Sequence, residues 1–304
     1  MIRTSLLVLG LALCAPVVPA FATASADVPV LNALEAACAD QAASAFEPGF
    51  ESIGRPVQEL DLEATVDACW AAMGTGENDF RMNAWMARAY YAAGQYEDAV
   101  YFADRAAEND VPLGLYVAGV LYSTGQGVAA DPGKGADLLM QAVAAGFTPA
   151  FHALALNLIN GLGVEEDVAL AVDFLQLAAD EGFGPSATVL GYMYFDGDRL
   201  PKDDEQSRRM MELGAHNGDA EAYAVLGRFA ELGIAGPVDM AAAALHYTSA
   251  AELGYTEALL PLARLYLAGR GVDKDVGFAR DLLAIAAEQG DGEARILLHR
   301  IDRG

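Results

Sequence analysis

Three arginines recur at one stride. Arg228, Arg264 and Arg300 stand 36 residues apart, in a column that continues upstream as Tyr192, Leu156 and Val120. A guanidinium is a planar fork of donors that grips carboxylates and phosphates, so three in register could clamp an acidic peptide or a chain terminus. The same residues have a second use. Glu221, Glu257 and Glu293 precede them by seven positions, two helical turns back on nearly the same face. Neighbouring units could then pair Glu with Arg in surface bridges worth up to about 1 kcal/mol each. The four histidines, His152, His216, His246 and His299, show no metal-ligand spacing, and there is no His-Glu-x-x-His run. His246 shares a column with Leu138, Phe174, Met210 and Leu282, which reads as core. Gly133-Lys134-Gly135 lacks the Ser or Thr of a phosphate loop, and Asp196-Gly197-Asp198 is too short for a calcium loop. No catalytic constellation assembles and no cofactor or metal is expected. The chemistry within reach is recognition.

The cysteines and the charge say where such recognition takes place. Residues 1–26 read as a secretory signal: Arg3 is the positive start, Leu6–Ala15 a short apolar stretch, and Pro16 and Pro19 break it ahead of small residues. Cleavage fits after Ala22, Ala24 or Ala26 and removes Cys14. Cys38 and Cys69 remain, and an even pair in an exported chain is most simply a disulfide. Closing that loop of about 30 residues is worth roughly 3–4 kcal/mol in the chain-entropy picture; two buried free thiols are the other reading. The net charge of −25 excludes a nucleic-acid surface, because neutralising phosphates needs surplus cations. Beyond the signal no apolar run is long enough to cross a bilayer, so no membrane insertion is expected after cleavage. Only three lysines against fifteen arginines, with abundant alanine, suggest a GC-rich bacterial genome and hence the periplasm.

The elements that must position these residues announce themselves by repetition. Gly146, Gly182, Gly218, Gly254 and Gly290 are 36 apart, as are Gly125, Gly161, Gly197, Gly233 and Gly269, and Asp131, Asp167, Asp203, Asp239 and Asp275. Each column suits a helix–loop–helix unit. The 125-type glycine ends a first helix in a left-handed cap, the aspartate caps a second helix, and the 146-type glycine ends it. Small residues recur at Gly119, Ala155, Gly191, Gly227 and Ala263 and at Gly135, Ala171, Ser207, Ala243 and Ala279. They would let the paired helices approach closely, with Leu139, Leu175, Met211, Tyr247 and Leu283 packed between them.

Leu190-Gly191-Tyr192-Met193-Tyr194 with Gly197, Leu265-Tyr266-Leu267-Ala268-Gly269-Arg270-Gly271-Val272 with Asp275, and the pairs Ala178-Ala179, Ala250-Ala251 and Ala286-Ala287 resemble the Sel-one-like repeat (SLR). That family belongs to the tetratricopeptide (TPR) superfamily. The resemblance implies an all-α fold, an α/α superhelical solenoid of 36-residue helix–loop–helix repeats. Five SLR units occupy 113–291, a TPR-like repeat 81–112, a disulfide-linked helical cap 27–80, and a capping helix 292–304. Arg199 and Ala235 replace the second loop glycine in two units, so those loops are expected to differ. In first helices of such solenoids the residue after the small 119-type position faces the concave groove, which places Tyr192, Arg228, Arg264 and Arg300 there. Arg88, Tyr91, Tyr116 and His152 complete the candidate groove, with Phe195 beside them; these aromatics could equally pack between repeats. The family implies a non-enzymatic adaptor or regulator that binds a protein or peptide, including in the bacterial envelope, and the arginine column adds the expectation of an acidic partner at the C-terminal groove. Some disulfide-rich secreted relatives are proposed to bind or slowly cleave β-lactams. Those carry a cysteine pair in every repeat, whereas this chain has one pair ahead of them all.

Overall fold

Asp131, Asp167, Asp203, Asp239 and Asp275 each accept a hydrogen bond from a first-turn backbone N–H of the helix that follows. Gly125, Gly161, Gly197, Gly233 and Gly269 each end the helix before, with φ between +64° and +77°. Orphan N–H and C=O groups at the helix ends are thereby satisfied, and the turn is set at the same place in every unit. The computed structural model describes residues 30–303 except Ile53 and Glu77; the expected signal at 1–26 lies outside them. The described residues form fifteen α-helices and no strand, arranged as the expected solenoid.

In chain order the helices are α1 Ala33–Ala42, α2 Leu62–Ala72, α3 Asp79–Ala92, α4 Tyr96–Ala107, α5 Pro112–Thr124, α6 Pro132–Ala144, α7 Thr148–Asn160 and α8 Val168–Asp180. They continue as α9 Gly184–Asp196, α10 Asp204–His216, α11 Ala220–Leu232, α12 Met240–Glu252, α13 Leu259–Ala268, α14 Val276–Glu288 and α15 Gly292–Ile301. A 3₁₀ turn, Thr256–Ala258, precedes α13. Pro261 explains it: proline cannot donate to Glu257, and its ring crowds that carbonyl, so the first turn tightens. No helix among the described residues is long and apolar enough to cross a membrane.

Inside each hairpin the two backbones nearly touch. A Cβ added at Gly119 would lie 2.8 Å from Leu139 Cγ, and one at Gly135 would lie 2.6 Å from the Ser123 backbone nitrogen. Gly191 meets Met211, and Gly227 meets Tyr247, in the same way. Leu139, Leu175, Met211, Tyr247 and Leu283 are buried between the helices as their column requires. The apolar core is continuous from α1 to α9 and again from α11 to α15. Between these lengths only Met211, Ala215, Ala222 and Leu226 form a small buried cluster.

Neighbouring hairpins are registered by the second loop glycine. A Cβ at Gly127 would strike the backbone of Tyr96, at Gly163 that of Pro132, and at Gly271 that of Met240, each the first residue of the preceding second helix. Ala235 keeps the left-handed backbone, φ +52°, despite its Cβ, whereas Arg199 is not among the described residues with positive φ. Arg199 instead reaches the carboxylate of Glu166 in the preceding loop. At the N-terminus, Asn32 caps α1 in a reciprocal box with Glu35, and Glu35 also accepts from the backbone and side chain of Asn78. Those hydrogen bonds, led by the one from the Asn32 backbone, hold Glu35 below the ordinary carboxylate range despite its burial. The Cys38–Cys69 disulfide is formed, fully buried, and joins α1 to α2.

Two glycine substitutions separate backbone strain from inter-repeat contact. Gly146 has nothing within 4 Å of an added Cβ, while at Gly163 the Pro132 carbonyl oxygen would be 1.9 Å away. Both have positive φ, so each alanine costs about 1–2 kcal/mol in left-handed strain. Gly163→Ala should cost about 1–3 kcal/mol more, because two hairpins must move apart. Urea unfolding of both variants checks this; equal losses would contradict the registering role.

Candidate binding groove

First helices of successive hairpins touch one another: α3 meets α5, α5 meets α7, and α9 meets α11. Each second helix packs against its own partner and against the next first helix. The first helices therefore line the tighter, inner wall of the curve, the concave surface of a solenoid.

The column Tyr192, Arg228, Arg264, Arg300 sits on these inner helices, α9, α11, α13 and α15. The Tyr192 hydroxyl donates to Glu221 Oε1 at 2.8 Å, and Arg264 pairs with Glu293, both reaching 29 residues forward onto the next first helix. Inter-repeat pairing is thus realised at Arg264, by groups about half exposed: 49% for the arginine side chain and 57% for the glutamate. Arg228 is exposed, and its charge acts on the phenol of Tyr247, opposing the upward push of burial and Glu231. Arg300, also exposed, borders a shallow hollow with Arg295, Ile296, Leu298, His299 and Asp302. Just upstream the surface has the opposite sign. Burial first, then the Glu221 carboxylate, pushes the Tyr192 phenol up, and burial with Glu221, Glu257 and Asp219 does the same for Tyr255.

A second set of expected groove residues is differently placed. Arg88 is corrected: it is buried, and its guanidinium donates to the carbonyls of Ala42 at 2.9 Å, Ala43 at 3.1 Å, and Arg55. All its reach goes to the backbone of its own chain. Tyr116 lies against Phe147 with ring centroids 5.4 Å apart, and burial pushes its phenol up to about 12. His152 lies 5.2 Å from the Phe183 ring, with Nδ1 3.0 Å from Ser186 Oγ; burial brings its pKa down to about 4. Tyr91 is tilted on Tyr96 at 5.7 Å, and Phe195 on Phe229 at 5.3 Å. At Tyr116, His152 and Phe195 the ring neighbour belongs to the next hairpin, so these aromatics join repeats.

Residues between α1 and α2 lie against this aromatic stretch. Glu47 is buried, accepts from the Ser44 backbone N–H and from Trp85 Nε1 at 2.9 Å each, and faces Arg81 at 3.8 Å. Burial pushes its carboxyl above the ordinary range while these partners oppose it. Phe50 makes an edge contact with Trp85, and Phe46 makes one with Phe183, at 5.4 Å in both cases. Trp85 lies on α3 and Phe183 caps α9, so the segment reaches from α3 to the start of α9. The one sequence signal was the composition: Phe46, Glu47 and Phe50 are rich in chemistry for a solvated loop.

This geometry defines the class: an α/α solenoid of stacked helix–loop–helix repeats. The Sel1 repeat profile matches residues 112–147, 150–183, 185–219, 220–255 and 256–291, more than half of the chain. The chain belongs to the Sel1 repeat family, whose members are commonly protein-interaction scaffolds and generally non-catalytic. It is similar to the crystal structure of a Sel1 repeat protein from Oxalobacter formigenes, with 27% identity and a TM-score of 0.61 over 69% of this chain and 86% of that one. It also shares the fold of a protective antigen present in uropathogenic Escherichia coli strains, which displays an SLR fold: 24% identity and a TM-score of 0.58, over 80% of this chain and 53% of the antigen. No curated protein matches the sequence.

The His152 environment makes a pH prediction. The folded pKa of about 4 lies below the ordinary value of 6.5, so the unfolded chain binds the extra proton between those pH values and stability falls as pH drops from 6.5 to 4. The contribution, fully present above pH 6.5, is of order 1–3 kcal/mol. Denaturant midpoints taken from pH 7 to 4 should fall less steeply for His152→Leu than for the unmodified chain. Parallel curves would contradict the buried neutral imidazole.

Proposed function

We propose that the protein is an exported, periplasmic and non-enzymatic scaffold that holds a protein partner on the concave face from α9 to α15 and serves as an adaptor or regulator in the envelope. The observation that carries this reading is the inner column itself: Tyr192, Arg228, Arg264 and Arg300 stand on successive inner helices with no segment of the described chain laid over them. Its cationic end suits an acidic side chain or a chain terminus. The Arg264–Glu293 bridge is no obstacle, because an exposed pair contributes at most about 1 kcal/mol and an incoming carboxylate can replace Glu293. The carboxylates near Tyr192 and Tyr255 repel an acidic segment, so the partner's acidic group belongs at the α13–α15 end. The buried disulfide supports export, since such bonds persist in oxidising compartments.

The test is crosslinking in cells from a photoreactive residue at position 225, followed by capture of the full chain. One defined protein should be recovered. The double variant Arg228→Ala with Arg264→Ala should lose most of it while the thermal midpoint moves by only a few degrees. Undiminished capture by the double variant would overturn the arginine reading, and a collapse of stability would assign these arginines to the fold.

A further inference from the structure

The segment from Ala43 to Pro56 behaves as a bound ligand would. It carries two aromatic rings and one carboxylate onto the inner wall, and the wall answers each: Trp85 for Phe50, Phe183 for Phe46, Trp85 Nε1 and Arg81 for Glu47. Arg88 receives its backbone, through the carbonyls of Ala43 and Arg55. Its own shape is closed locally: the Arg55 N–H donates to the Ala43 carbonyl, and Gly54 packs so tightly that an added Cβ would lie 2.0 Å from the Ala45 nitrogen. Its described residues belong to no helix, and a short 3₁₀ turn, Val57–Glu59, follows it. The disulfide ties the helices on either side of it, so it stays tethered when it lets go, at an effective concentration in the millimolar range.

We propose that the inner wall from α3 to α9 is a recognition site for a segment bearing aromatic and carboxylate side chains, occupied in cis by residues 43–56. Its occupant shuts that half of the concave face to partners and leaves the α9–α15 half open. The inference stands apart from the arginine column, since it concerns other residues and is read by another signal.

Hydrogen exchange of the unmodified chain with its disulfide intact is the first arm. The amides of Gly54 and Arg55, bonded to Phe50 and Ala43, should exchange through a local opening at least a hundredfold faster than the α3 amides around Trp85 and Met86. Exchange at one common rate would make the segment part of the cooperative core and overturn the proposal. The second arm uses Trp85, one of two tryptophans, in a Trp70→Phe background. Phe46→Ala with Glu47→Ala should raise acrylamide quenching of Trp85 severalfold with helicity by circular dichroism retained. A synthetic peptide of residues 43–56 at millimolar concentration should then restore protection, and it should not bind the parent chain. Unchanged quenching, or quenching that the peptide does not reverse, overturns the site. Should the double variant lose its helices, the exchange arm decides alone.

Discussion

At Gly119, Gly191 and Gly227 the two helices of a hairpin lie so close that a side chain there would displace one of them. Gly119 rests on Leu139 and Gly135 on Ser123, Gly191 on Met211, Gly227 on Tyr247. Much follows from that approach. It sets the angle of the hairpin, hence where the first helix presents its inner face, hence which residues of the 120-type column look into the concavity. A protein interior tolerates neither voids nor overlap, so one small residue per helix at the crossing, facing one long residue, is a strong local constraint. Repeating it at a stride of 36 makes curvature cumulative.

Repeat proteins are held by nearest-neighbour terms, and here those terms vary along the chain. From α1 to α9 the joints are apolar and aromatic, as where Tyr116 lies on Phe147 and His152 on Phe183. At α10 the composition turns polar and only a small cluster bridges the two lengths of core. The two loop departures flank this stretch, Arg199 in the loop before α10 and Ala235 in the loop after α11, where the registering glycine is absent. Polar links take over there: Arg199 with Glu166, Arg208 with the Ala235 carbonyl, Asn217 with the Ala179 carbonyl.

How much of this could be read beforehand depends on the range of the interaction. The aspartate caps, the left-handed glycines and the buried 139-type column are encoded within a few residues and copied five times, so spacing alone exposes them. The disulfide was the simplest reading of Cys38 and Cys69 once Cys14 was assigned to the expected signal. Arg88 and residues 43–56 were opaque for the opposite reason. Each is used once, and the Phe46–Phe183 contact joins points separated by nearly half the chain; a periodic pattern carries no information about a contact that does not repeat. The arginine column sat between these cases. Its register was plain, and the Glu seven residues earlier foreshadowed the Arg264–Glu293 bridge, but sequence could not say which of the three arginines would be paired.

The concave face is therefore divided by chemistry. Its α3–α9 half is apolar and aromatic and is covered by the chain's own segment, which removes rings such as Phe46 and Phe183 from water and contributes stability in proportion to that burial. Its α9–α15 half is polar and costs nothing to leave open, since hydrated carboxylates and guanidiniums gain little by pairing at a surface. A long exposed aromatic trough would hold passing chains indiscriminately. Covering the sticky half while leaving the charged half uncovered directs recognition toward charge pattern, which discriminates through repulsion as much as through attraction.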